Sequence, residues 1–210
     1  AMNISIPSTA SRLVGSFGYF LEPIILTNAL TYVGYSSKFI VTEYGVISGF
    51  VMPLLLLPSF FTMAISQALL PVISKATSNK HYDYAKKKLK QAIGISLLIG
   101  VPASLLLAIF PEFFLGLIYN THEGVAYMRF LAPICILQYI QAPLSACLDA
   151  MGLTKLGLKA TIIGTLIRTI FLLIFSLLKI GMWGLIFSTS LNVIFTTFYN
   201  LYQVKTSLKK

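Results

Sequence analysis

From Tyr44 to Ser74 the chain reads YGVISGFVMPLLLLPSFFTMAISQALLPVIS, about thirty residues without one charged side chain. A bilayer core about 30 Å thick is crossed by about 20 apolar residues in a helix, so this stretch crosses it and still reaches into an interface. Directly behind it comes KATSNKHYDYAKKKLK, with six lysines in sixteen residues. Short loops rich in Lys and Arg stay on the cytoplasmic side. The pair therefore sets the orientation of every other segment.

Composition supports an integral membrane protein: 57% of the residues are hydrophobic and 10% charged, against about 25% charged in soluble domains. The net charge of +10 does not point to nucleic acid, because the lysines sit in short loops beside apolar runs. That placement serves topology and attraction to anionic headgroups, which makes membrane lipids a partner. Cys135 and Cys147 fall on one predicted helix about 18 Å apart, beyond the roughly 7 Å Cα separation a disulfide tolerates. They read as small packing residues. The start AMNISIPSTASR lacks a basic region and cleavage pattern of the secretory kind, and Ala1 ahead of Met2 reads as a junction in something longer.

Six spans are expected, at about 7–33, 43–74, 91–110, 124–150, 155–178 and 181–204, giving an all-α membrane fold. With the Lys75–Lys90 loop cytoplasmic, the Met151–Lys159 loop and both termini are cytoplasmic too, and only Lys38, Lys179 and Arg129 fall on or near the outer side. Tyr82, Ala85 and Leu89 recur at helical spacing among the lysines, which predicts a short surface helix over Lys75–Lys90. PEFFLGLIYNTHEG, from Pro111, is too short to span and reads as an outer half-helix and turn.

No enzyme machinery is visible. His81 and His122 lie in loops on opposite sides, and no nucleophile elbow, phosphate-binding glycine loop, zinc spacing or carboxylate pair occurs. No cofactor or metal is implied. What stands out is charge inside apolar helices. Arg168, in TIIGTLIRTIFLLIFSLL, is about 13 Å from Lys159 and about 16 Å from Lys179 along the helix. A charge at that depth costs at least about 2.5–3.5 kcal/mol and faces a cavity or a partner. Glu22 is mid-span in FGYFLEPIIL; Pro23 interrupts the ladder beside it, and the alternative to a functional role is an ion pair with an arginine on a neighbouring helix. Arg12 and Arg129 lie nearer the two interfaces, where snorkelling competes with a role in binding. Asp149 reads as an interfacial or capping partner. Gln138 and Gln141 share a helix face, and with Asn28, Gln67 and Asn192 they are either ligands or interhelical hydrogen-bond formers.

SRLVGSFGYFLEPIILTNAL, then EYGVISGFVMPLLLLPSFFTMAISQALLPVISKA, then FLGLIYNTHEGVAYMRFLAPICILQYIQAPLSACLDAMGLTK, resemble the second half of bacterial polysaccharide flippases of the stage V sporulation protein B branch. That branch is related to the lipid II flippase and the multidrug and toxin extruders. The resemblance covers essentially the whole chain and implies one six-helix lobe of a two-lobe transporter, the C-terminal one, with an N-terminal lobe as partner. It implies substrates that are polyprenyl-pyrophosphate-linked saccharides used in cell-wall or polysaccharide synthesis. By resemblance Arg12 faces the cavity. The lipid II flippase also has an arginine on the next helix, where this chain reads EYGVISGFVMP with none. Arg12, Glu22, Arg129, Gln138, Gln141 and Arg168 are the candidate substrate-binding residues. The competing expectations are an antiporter for cationic drugs, which needs membrane carboxylates, and a scaffold without transport.

Overall fold

A computed structural model describes the backbone of residues 2–208 and the side chains of residues 9, 10 and 13–208. Among these, all regular structure is helical: α1 Met2–Val33, α2 Ser37–Val46, α3 Met52–Ser78, α4 Tyr82–Ile109, α5 Pro111–Tyr119, α6 Val125–Ala150, α7 Thr154–Leu177 and α8 Trp183–Ser207. A π-helical stretch, Ile47–Val51, joins α2 and α3 into one continuous rod, Ser37–Ser78. Pro53 accounts for it. Proline has no N–H and crowds the carbonyl four residues back. The wider turn, in which the Met52 N–H donates to the Ile47 carbonyl, relieves that crowding without breaking the rod.

Two expectations are corrected. Among the described residues five stretches are long and apolar enough to cross a membrane: Leu13–Val33, Ser37–Ser78, Tyr82–Ile109, Val125–Ala150 and Thr154–Leu177. The sixth expected span, α8, is 25 residues long but too polar to count with them. Its Ser188, Ser190, Thr197 and Asn200 are buried, so its polarity is spent inside the bundle against α6 and α7. The second correction concerns Lys75–Lys90, which is not a separate surface helix. The α3 helix runs to Ser78 and α4 starts at Tyr82, so the lysines cover the end of one long helix and the start of the next. Ala85 and Leu89 do share a face, as their spacing predicts, but that face is buried in the bundle with Leu69, Ile73, Leu144 and Leu148. The outer half-helix takes the form of α5, ended by Asn120 in the left-handed conformation.

The helices pack as two trios. The helices α3, α4 and α6 touch one another; α1 lies along α7, and α7 along α8. The seam is α6 against α8. Because α1 does not pack comparably against α3, a cleft remains between the trios beside that seam. The loops sort into two ends. One core cluster unites residues from the ends of α3, α6 and α8 with the start of α4, where most of the lysines are. The other joins α2, α5, the start of α6 and the turn before α8.

Within the first trio Tyr139 is the largest fully buried side chain. Its hydroxyl donates to the Leu55 carbonyl at 2.7 Å, next to Pro58, which loosens the α3 ladder. Its ring lies so close over Gly100 that a Cβ there would collide with it. Gly100→Leu is therefore expected to destabilise the protein by about 1–3 kcal/mol through overpacking. Tyr139→Phe, which loses only the hydrogen bond, should cost nearer 0.6 kcal/mol, about the membrane average. Melting in detergent, followed by size exclusion after heating, ranks the two; a reversed order would mean that the ring contact is slack.

Candidate functional site

A cavity of about 240 Å³ opens between the trios, lined by α1, α3, α6, α7 and α8. It forms where small residues let helices come close. A Cβ at Gly18 of α1 would strike Thr165 of α7, and one at Gly164 would meet Asn192 and Thr196 of α8. The glycines bring α1 and α8 in on either side of α7, and the polar side chains beside them become the wall. Five threonines (Thr161, Thr165, Thr169, Thr189, Thr196) and three amides (Gln138, Gln141, Asn192) supply most of its polar surface.

The charged groups of the wall are Glu22 and Arg168, and they form an ion pair between α1 and α7. Both are buried, at 8% and 9% exposure. The Tyr44 hydroxyl donates to Glu22 Oε1 at 3.5 Å, and the Arg168 guanidinium stands 4.7 Å from the centre of the Tyr19 ring, within cation–π range. Arg168 Nε has no hydrogen-bond partner among the described residues. The carboxylate is thus shared between α2 and α7, and the arginine keeps one unused donor.

Four of the six sequence-predicted residues meet here: Glu22, Gln138, Gln141 and Arg168. The two glutamines differ in a way their spacing could not reveal. Gln141 Nε2 donates to the Thr197 hydroxyl at 2.8 Å and to the Val193 carbonyl at 3.2 Å, bracing α6 against α8. Gln138 makes no hydrogen bond to the described residues and leaves its amide to the cavity. Arg129 is not part of the site; it lies at the other end of α6, more than half exposed, 3.8 Å from Glu112 of α5. The Arg12 side chain lies outside the described residues. The sequence reading missed the threonines and Tyr19. Thr161, Thr165 and Thr169 repeat every four residues along α7, on the turns that carry Gly164 and Arg168, and that stripe is the signal that was available.

A bundle of five apolar membrane-spanning stretches plus a polar eighth helix, closing on a cavity with one buried ion pair, defines a multi-pass membrane protein with an internal polar site. The chain belongs to the MatE family, which matches residues 17–174. It is 33% identical over 168 residues to stage V sporulation protein B of Bacillus subtilis (strain 168), covering 80% of this chain and 32% of that protein. It is 30% identical over 152 residues to sporulation protein YkvU of the same organism, covering 72% and 34%. The matched region is about a third of the length of these relatives. In fold it is similar to a MATE protein crystallised in the bent conformation, with a TM-score of 0.84 at 17% identity over 99% of this chain and 45% of that one. A Pyrococcus furiosus MOP superfamily transporter, described as having a binding pocket of reversed polarity, gives a TM-score of 0.73 at 18% identity, covering 100% and 47%.

The pair makes a stability prediction. Removing one partner of a buried ion pair strands the other charge, at about 3–5 kcal/mol. Arg168→Gln and Glu22→Gln should each lower detergent stability by that order. The double variant Glu22→Gln/Arg168→Gln should recover most of it, giving a large coupling energy. Additive losses in a thermal-unfolding cycle would show that each charge has another partner.

Proposed function

We propose that the chain is the C-terminal lobe of a transporter that moves a polyprenyl-pyrophosphate-linked saccharide across the membrane by alternating access. The observation that carries this reading is the chemistry of the cavity wall: hydroxyls and amides, with the buried carboxylate already engaged by an arginine. Sugar hydroxyls are matched by neutral donors and acceptors such as Thr and Gln. A phosphate is matched by a guanidinium with a donor to spare. A cationic drug would need an unengaged carboxylate, and the described part of the cavity wall has none. The similarity to two sporulation proteins agrees with a role in envelope assembly. A volume of about 240 Å³ holds part of such a headgroup, so the remaining contacts are assigned to an N-terminal lobe. Arg12 is included in the site because it precedes Gly15 and Tyr19 by three and seven residues, the spacing of one helix face.

In this reading α8, 25 residues long, crosses as a sixth helix whose polar side is covered by the bundle, so the lysine-rich end and both termini are cytoplasmic. Cysteines introduced at Gly152 and at Lys179 test it. A membrane-impermeant maleimide added to intact cells should label the second and spare the first, and the native Cys135 and Cys147, both buried, keep the background low. The reverse pattern would invert the topology.

The transport reading is tested by complementation with the full-length protein in cells lacking their own flippase. Arg168→Ala, Arg12→Ala and Glu22→Gln/Arg168→Gln are compared with wild type at matched membrane abundance. Outer-face lipid-linked glycan should fall by about tenfold or more when Arg168 is lost, the worth of one charge-assisted hydrogen bond. The double variant, whose fold is spared a stranded charge, should fall as far. Undiminished export from the double variant would reduce the pair to a structural brace and remove the basis for a pyrophosphate site.

A further inference from the structure

On a face that shares no lining residue with the cavity, α4 and α8 both lie against α6 without packing closely on each other. The gap is a groove of about 340 Å³ at the lysine-rich end. Its floor is Leu144 of α6, and its walls are Leu89 and Ile93 on one side and Leu201 and Val204 on the other. Leu144 and Val204 are buried, whereas Leu201 is 41% exposed and stands at the open side. Three lysines border the groove: Lys86 and Lys90, one turn apart on α4, and Lys205 in the last turn of α8. All three are exposed, and none forms an ion pair among the described residues.

We propose that this groove binds an anionic phospholipid, its phosphate held among Lys86, Lys90 and Lys205 and an acyl chain laid between α4 and α8 along Ile93 and Leu201. Lysines that serve topology alone need only be in the loop. Here cations from two helices converge on the mouth of an apolar slot open to the lipid. Basic pockets of this kind between membrane helices on the cytoplasmic side recruit anionic headgroups. The groove separates two classes of lysine within one basic run. Lys87 does not line it, nor does Lys88, which is placed over the Tyr84 ring at 5.4 Å.

That division provides the test. The intact protein in detergent is titrated with short-chain phosphatidylglycerol, with phosphatidylcholine of the same chain length, and with glycerophosphate, and bound molecules are counted by native mass spectrometry. Phosphatidylglycerol should bind saturably and at least tenfold more tightly than phosphatidylcholine, and glycerophosphate should not reach the same occupancy. Lys86→Ala/Lys90→Ala should weaken phosphatidylglycerol by about 25-fold, about fivefold per lysine. Lys87→Ala/Lys88→Ala, which removes the same charge outside the groove, should change it less than threefold. Leu201→Trp, which fills the open side and leaves the charge intact, should also weaken binding. Equal losses from the two lysine pairs would show a diffuse electrostatic effect and overturn the site. So would glycerophosphate binding as well as the lipid, or an unaltered affinity in Leu201→Trp.

Discussion

A guanidinium cannot stand alone in hydrocarbon, and the position of α1 follows from that. Arg168 is on α7, near the middle of the span, and Glu22 of α1 is the counter-charge that holds it. The α1 helix lies along α7 and meets the start of α2, but makes no comparable contact with α3. The pair therefore bonds the first helix to α7, and Tyr44 ties the same carboxylate to α2. With α1 fixed on that side, the space towards α3 stays open as a cavity. Buried ion pairs seldom add net stability, because desolvation offsets the attraction. This one lies where α1 and α7 pack together, beside the close approach of Gly18 to Thr165.

The membrane character and the all-helical architecture were legible in the sequence, since apolar length is a strong local signal. What the sequence did not show were the relations between helices. Glu22 and Arg168 are 146 positions apart, and no spacing rule joins them. Gln138 and Gln141 looked equivalent, and only the position of Thr197 on α8 showed that one is a brace and the other is available. Arg129, unlike Arg168, lies near an interface in the sequence, where snorkelling competes with binding, and it stands 3.8 Å from Glu112 in an exposed pair. The Tyr82, Ala85 and Leu89 spacing was correctly read as one helix face. Its apolar side was assigned to the membrane surface instead of the bundle, because α4 begins nine residues earlier than the lysine density suggested.

The charge balance between Glu22 and Arg168 in the described part of the cavity wall bears on what it can hold. An unpaired arginine would bind any anion; an arginine engaged by Glu22 and covered by Tyr19 has a charge that is largely answered. Its selectivity then lies in directed hydrogen bonds, from the guanidinium and from the threonines and amides around it. Such a wall discriminates by unpaired polar groups when the wrong molecule enters, a stronger filter than apolar fit alone.

Hydropathy and burial run in opposite directions across the bundle, for a physical reason. The most apolar 18-residue stretch, within Tyr82–Ile109, has a mean hydropathy of 2.4 with 28% of its residues buried in the protein, whereas the corresponding stretch of Val125–Ala150 has 1.5 with 50% buried. A helix facing lipid must be apolar around most of its surface. The α6 helix touches α3, α4 and α8 and can carry Gln138, Gln141 and two prolines because protein surrounds it. The α1 helix breaks this relation: its most apolar 18-residue stretch, within Leu13–Val33, has a hydropathy of only 1.3 and 22% of its residues buried. Its polar content is concentrated at Glu22 and at the Gly15, Gly18 and Tyr19 face that lines the cavity. The helix that is polar without being buried is the one that forms the open wall of the site.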